Sequence, residues 1–153
     1  GTNYWDGEQM TTQMGNGPAA LVQRLRQATN DHDLDALAGC FAADYRNETP
    51  THPERSFVGR DQVRKNWTQI FTAVPDVRAE VLRCVEDGGT VWSEWEHRGT
   101  RRDGSAHVMR GVVIFGVEGG LASWARLYLE PVQDGSGGVD EAVRSQVSPG
   151  GRQ

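Results

Sequence analysis

At 153 residues the chain is long enough for one domain with a hydrophobic core of its own. Its 16 basic and 21 acidic residues give a net charge of −5 with no Lys/Arg cluster beyond the short "RRDG", which argues against nucleic acid as a partner, since binding it needs a basic stripe. No apolar run approaches the roughly 18 to 20 residues of a membrane span, so no membrane partner is expected.

The chain opens on a polar, Gly-rich leader, "GTNYWDGEQMTTQMGNGP", which has no hydrophobic period and is expected to be flexible over residues 1–17. Leu21, Leu25 and Ala28 then recur at helical spacing behind Pro18, a good first residue for a helix. Asp33 is placed to cap a second helix, with Leu34, Leu37, Ala38 and Phe41 on its apolar face. A loop is expected through "AADYRNETPTHPERSFVG". Past Gly59, the residues Val63, Trp67, Ile70, Phe71 and Val74 line one side of a third helix, which Pro75 stops. The second half reads as strands at 77–86, 90–101, 106–117 and 121–131, separated by "DGG", "RDGS" and "EGG" turns. The tail, "QDGSGGVDEAVRSQVSPGGRQ", has a disorder-prone composition, with room for a helical turn at "VDEAVRS". The expected product is an α+β domain over 18–132, followed by a flexible tail over 133–153. Three helices would cover one face of an antiparallel sheet.

Cys40 and Cys84 lie far apart in apolar surroundings and read as buried thiols of a reducing cytoplasm, which makes the expected location cytoplasmic. The four histidines show no converging ligand spacing, so no metal site is expected.

The stretch "VWSEWEHRG", residues 91–99, carries the functional question. Alternation puts Trp92, Glu94, Glu96 and Arg98 on one face and Val91, Ser93, Trp95 and His97 on the other. Taken alone, the three charges read as a solvated strand face, with Arg126 opposite them in a surface ion pair.

A resemblance turns that reading round. "DLDALAGCFAADYRNETP", "FVGRDQVRKNW", "EWEHRGTRRDG" and "VIFGVEGGLASWARLYLEP" resemble the helix, helix-opening and strand motifs of the NTF2-like superfamily, over about residues 20–131. That superfamily includes SnoaL-like polyketide cyclases, ketosteroid isomerases and limonene-epoxide-hydrolase-like enzymes. The resemblance implies a conical sheet whose concave side, with the helices, encloses an apolar pocket. It also implies a homodimer through the convex side, with Trp95 at that contact.

Within the epoxide-hydrolase-like pattern, Tyr45 and Asn47 match the water-holding pair and Glu96 falls at the acid. Glu94 stands where the family has Arg, and Arg126 stands where it has the basic Asp. The resemblance then implies that Glu94 and Glu96 face the pocket, bridged by the Arg126 fork, and divide the acid and base roles. Trp92, Trp124 and Tyr128 would line the pocket, with Trp67 or Phe71 as wall and His52 on a loop over the mouth. Of Arg110 and His107 only one can face inward without a bulge, and Arg110 is the expected one; Gly111 is a plausible bulge. The implied function is cofactor-free acid–base chemistry on a small, largely apolar molecule, by isomerisation, cyclisation or epoxide hydration. The other reading is a non-catalytic ligand-binding or dimerising module of the same fold.

Overall fold

The computed structural model describes residues 2–4 by their backbone and residues 17–150 in full. Strand β1 (Thr2–Tyr4) comes first; the remainder of the expected leader, up to residue 16, lies outside the described residues. Helix α1 (Pro18–Asn30) starts on Pro18 and buries Leu21, Leu25 and Ala28, the stripe its sequence predicts. Asp33 caps α2 (Leu34–Ala38), accepting the Ala36 amide at 3.0 Å. This helix is one turn shorter than expected. The chain turns at Gly39, so Phe41 opens a strand instead of closing the helical face.

The expected loop after it is largely ordered as sheet: β2 (Phe41–Glu48), a 3₁₀ turn (Pro53–Arg55) and β3 (Phe57–Val58). Helix α3 (Arg60–Ala73) follows Gly59 and ends before Pro75. The meander then runs through β4 (Arg78–Asp87), β5 (Thr90–Thr100), β6 (Ala106–Glu118) and β7 (Leu121–Leu127), with a short β8 (Glu130–Pro131). The Gly-rich turns fall where the sequence puts them, and Gly88, Gly104, Gly119 and Gly120 all take positive φ. In the tail, "VDEAVRS" belongs to a full helix, α4 (Val139–Val147).

The sheet order is β1-β4-β5-β6-β7-β2-β3, with β8 pairing β6 beside β7. Pairing is antiparallel except between β7 and β2. Register shifts at Val81/Arg83, Gly116/Val117 and Phe41/Arg46 mark the irregularities that bend a sheet. Helix α1 packs across β4, β5 and β6, and α3 packs on β2, all on the inner face. Asn30 ties α1 to the sheet, accepting the Ala79 amide at 2.7 Å and donating to the Ala79 carbonyl at 3.0 Å. The core formed between helices and sheet includes Leu21, Leu37, Val91 and Ala122, all fully buried.

Candidate functional site

Between the helices and the inner face of the sheet lies a cavity of about 130 Å³. Its deep wall is built by Leu25 and Thr29 of α1, Phe41 and Tyr45 of β2, and Val113 and Phe115 of β6. Phe57, Asn66, Trp67, Leu127 and Leu129 are its partly exposed members and form the side nearer solvent. Among the described residues the lining contains no Asp, Glu, Lys or Arg side chain.

Besides Thr29, whose hydroxyl donates to the Leu25 carbonyl at 2.8 Å, three polar features stand on this apolar lining. The first is a string along β2. The Tyr45 hydroxyl donates to Asn47 Oδ1 at 2.7 Å, and Asn47 Nδ2 donates to Thr49 Oγ1 at 3.3 Å. All three residues are buried, and burial raises the Tyr45 pKa well above its ordinary value, so the phenol stays neutral. The second is Asn66, whose Oδ1 accepts from Gln62 at 2.8 Å.

The third is His97. It is 8% exposed and has no hydrogen-bond partner among the described residues. Its imidazole sits between two indoles: Trp67 lies 5.7 Å away and Trp95 5.8 Å away, centroid to centroid, both edge-on. Burial, followed by the charge of His107, lowers its pKa to about 4, so it is neutral at pH 7. A neutral imidazole carries one donor and one acceptor. Here both go unmatched.

Strand β5 is thus turned the opposite way from the resemblance. Val91, Ser93, Trp95 and His97 face the core, while Trp92, Glu94, Glu96 and Arg98 face outward. Trp95 is 3% exposed and lies against the cavity, not at a convex-side contact. Its indole N–H donates to Ser93 Oγ at 2.8 Å, and Ser93 Oγ donates to the Val113 carbonyl at 2.7 Å.

The expected triad is therefore not assembled in the cavity. Glu96 lies on the outer face between Arg98 (2.9 Å) and Arg110 (2.5 Å). Those two guanidiniums hold its carboxyl below the ordinary range, Arg98 contributing most. Glu94 is exposed, in register with Arg83 and Val112. Arg126 is exposed as well and pairs with Glu48 at 2.8 Å, bridging neither Glu94 nor Glu96. The physical reason is a one-residue slip in matching the motif to the strand, which exchanges the two faces.

The outer face also takes Trp92, which is 52% exposed, and Trp124, whose ring covers Gly116 and meets the Arg126 guanidinium 5.7 Å from its centroid. Tyr128 is exposed beyond the end of β7, away from the cavity. Arg110 points outward to Glu96, and His107 has the inward parity, at a shallow depression beside Ile70 and Ala73. His52 caps the 3₁₀ turn and approaches Glu130 at 3.5 Å, away from the cavity lining. Phe71 stacks on His32 at 4.6 Å and supports Trp67 from behind.

Of the expected site residues, Tyr45, Asn47 and Trp67 line the cavity. The residue missed is His97. Its signal is present in the sequence: every charge of residues 91–98 falls on even numbers, which leaves the odd side for the interior. Among the described residues no cluster of His, Cys, Asp and Glu is arranged to hold a metal. No described helix is long and apolar enough to cross a membrane.

The fold is shared with solved structures of diverse chemistry. IdmH from Streptomyces antibioticus, a candidate polyketide cyclase, matches at 21% identity with a TM-score of 0.64, over 73% of this chain and 91% of its own. An LEH-like epoxide hydrolase from M. tuberculosis matches at 16% identity and TM-score 0.63, over 72% of this chain and 80% of its own. A protein with a ketosteroid isomerase-like fold from Catenulispora acidiphila, in complex with trimethylamine, matches at 17% and 0.59, over 69% and 82%. At these identities the likeness concerns the fold. No curated protein matches the chain. The profile of the SnoaL-like domain matches residues 22–125, most of the chain, and the protein belongs to that family.

Proposed function

We propose that this protein is a cofactor-free enzyme that moves a proton on a small, largely apolar molecule, with His97 as the proton acceptor. The observation that carries the reading is the buried imidazole, without a hydrogen-bond partner among the described residues, facing a largely apolar cavity. A polar group is left without a partner in such a place at a cost of about 1–3 kcal/mol. A substrate that hydrogen-bonds to it recovers that cost.

The chemistry follows from charge. At pH 7 His97 is neutral and ready to accept a proton from a carbon beside a carbonyl. With the proton transferred, the imidazolium faces an enolate in a medium of low dielectric. Their attraction raises the imidazole's effective pKa and so offsets its weakness as a base. Asn66 Nδ2, and the amide hydrogen of Asn47 not used by Thr49, are the neutral donors at the lining suited to the enolate oxygen. Returning the proton to another carbon is an isomerisation; attack of the enolate carbon on a second carbonyl is a cyclisation. Epoxide hydration is less well supported, because no carboxylic acid among the described residues lines the cavity to protonate the epoxide oxygen.

The second reading, a binding module of the same fold, draws on the Tyr45–Asn47–Thr49 string, whose members hydrogen-bond chiefly to one another. The two readings separate in a turnover screen of small cyclic enones and diketones with wild type, His97→Gln and Glu96→Gln. The enzyme reading expects His97→Gln to lower kcat by about 10²–10⁴-fold and Glu96→Gln to leave it unchanged. Turnover indifferent to His97→Gln rules the base out.

We also place a homodimer contact on the convex face, where Trp92 and Trp124 are presented, and read the two buried thiols as suited to a reducing compartment such as the cytoplasm.

A further inference from the structure

We infer that the cavity's ligand is a neutral molecule of a single ring carrying a hydroxyl group, which hydrogen-bonds to His97. The inference goes beyond the proposed function: it concerns what the resting cavity binds, not the carbonyl substrate of that reaction, and it rests on the proposed function only in taking His97 as the polar contact.

Three observations converge. The first is size. An apolar void of about 150 Å³ takes up benzene, and the cavity here is about 130 Å³. One ring fills it, whereas a second fused ring would extend past the partly exposed Phe57, Asn66 and Trp67 towards solvent and gain no further enclosure. The second is charge. No ionised side chain among the described residues lines the cavity, so a carboxylate or ammonium placed there would lose its hydration with no counter-charge from them in return. The third is polarity. His97 offers one donor and one acceptor, both unmatched among the described residues, and Trp67 and Trp95 flank it on the lining. A hydroxyl both donates and accepts, so it can satisfy either ring nitrogen. A bare hydrocarbon satisfies neither, and a ketone only the donor.

The two indoles also supply the readout. Tryptophan fluorescence is titrated at pH 7 with phenol, toluene, benzoate, benzylammonium and 2-naphthol, on wild type, His97→Leu and His97→Gln. Phenol should bind wild type most tightly, with benzoate and benzylammonium at least about a hundredfold weaker. Toluene should be about tenfold weaker than phenol, the difference being the hydrogen bond to His97, and naphthol weaker than phenol. His97→Leu should bring phenol down to the level of toluene while toluene itself is unaffected, which also reports that the variant is folded. His97→Gln, which keeps a donor and an acceptor, should retain part of the preference for phenol.

Benzoate binding as tightly as phenol, naphthol binding tighter, or a phenol preference that survives in His97→Leu would each overturn the inference. Binding is read without turnover, so the two proposals fail separately. Phenol bound as described with no catalysis on any enone leaves the ligand class standing and removes the enzyme. His97-dependent turnover of a charged or polycyclic substrate does the reverse.

Discussion

The imidazole of His97 meets the indole of Trp95 edge-on, 5.8 Å between centroids and 85° between planes, although the two residues belong to the strand face with no formal charges. Their shared face follows from period 2. Their burial follows from α1 and α3 packing over that face. The pair therefore fixes the orientation of β5, and with it the location of any chemistry. What approaches the cavity meets imidazole, indole, phenol and amide groups, and no carboxylate among the described residues.

The depressed pKa of His97 makes stability depend on pH. An unfolded chain takes up a proton on this residue below about pH 6.5, and the folded chain refuses it until about pH 4. Stability is then highest above pH 6.5 and falls as pH drops through the window, by about 3 kcal/mol in all. His107, shifted the same way by burial and by Arg101, adds a contribution of the same sign. Urea unfolding at intervals from pH 7.5 to 4 (roughly the window plus a margin) should show this slope in wild type and a much flatter one in His97→Gln. An unchanged slope in the variant would mean that the imidazole is hydrated in the native state.

Tyr45 and Asn47 form the best-satisfied polar contact at the cavity, and removing one partner leaves the other buried. In Tyr45→Phe, Asn47 Oδ1 loses its donor while Asn47 remains 5% exposed. The expected cost is about 1–3 kcal/mol, readable as a lower urea midpoint with an unchanged m-value. A midpoint equal to wild type would indicate that water replaces the phenol.

How much of this was legible beforehand differs between the fold and the site. The strand limits follow from turn chemistry: "DGG", "RDGS" and "EGG" force reversals, and the observed strands β4 to β7 begin within one residue of their expected starts. The segment after Gly39 was harder. Its alternation is irregular because β2 slips register against β7 between Phe41 and Arg46, and its partners lie some 80 residues away. Local pattern does not encode such a pairing. The site failed on a single residue of phase. The similarity in "SEWEH" attracts the eye to paired acids, whereas the period-2 charge pattern of the same stretch already marks them as solvated. Tyr45 and Asn47 do line the cavity, two apart on β2, although the segment reads locally as a loop; it was the resemblance, not the alternation, that singled them out.

The outer-face ion pairs should behave as surface charges. Glu96 is shared between Arg98 and Arg110, and Glu48 holds Arg126 at 2.8 Å, all on the solvent side of the sheet. Arg126→Met and Glu96→Gln are expected to leave the thermal midpoint close to wild type, and what difference there is should shrink at high salt, because exposed pairs are screened. A large loss for Arg126→Met, insensitive to salt, would show that this face is buried in an assembly.

That same face leads to the dimer prediction. Trp92 is 52% exposed, a large indole left in water by one chain alone. Its cross-strand neighbours are the half-buried Val85 and Ile114, itself only 7% exposed, so the indole is the exposed part of an apolar row across three strands. A second copy covering the row would remove it from solvent, and a charge placed at its centre would oppose that contact. Light scattering at micromolar concentration (on the order of the range where standard-size interfaces associate) should therefore give a dimer for wild type and a monomer for Trp92→Lys. Far-ultraviolet circular dichroism should be the same for both, since Trp92 contributes nothing to the inner core. A monomeric wild type would assign the exposed indole some other partner.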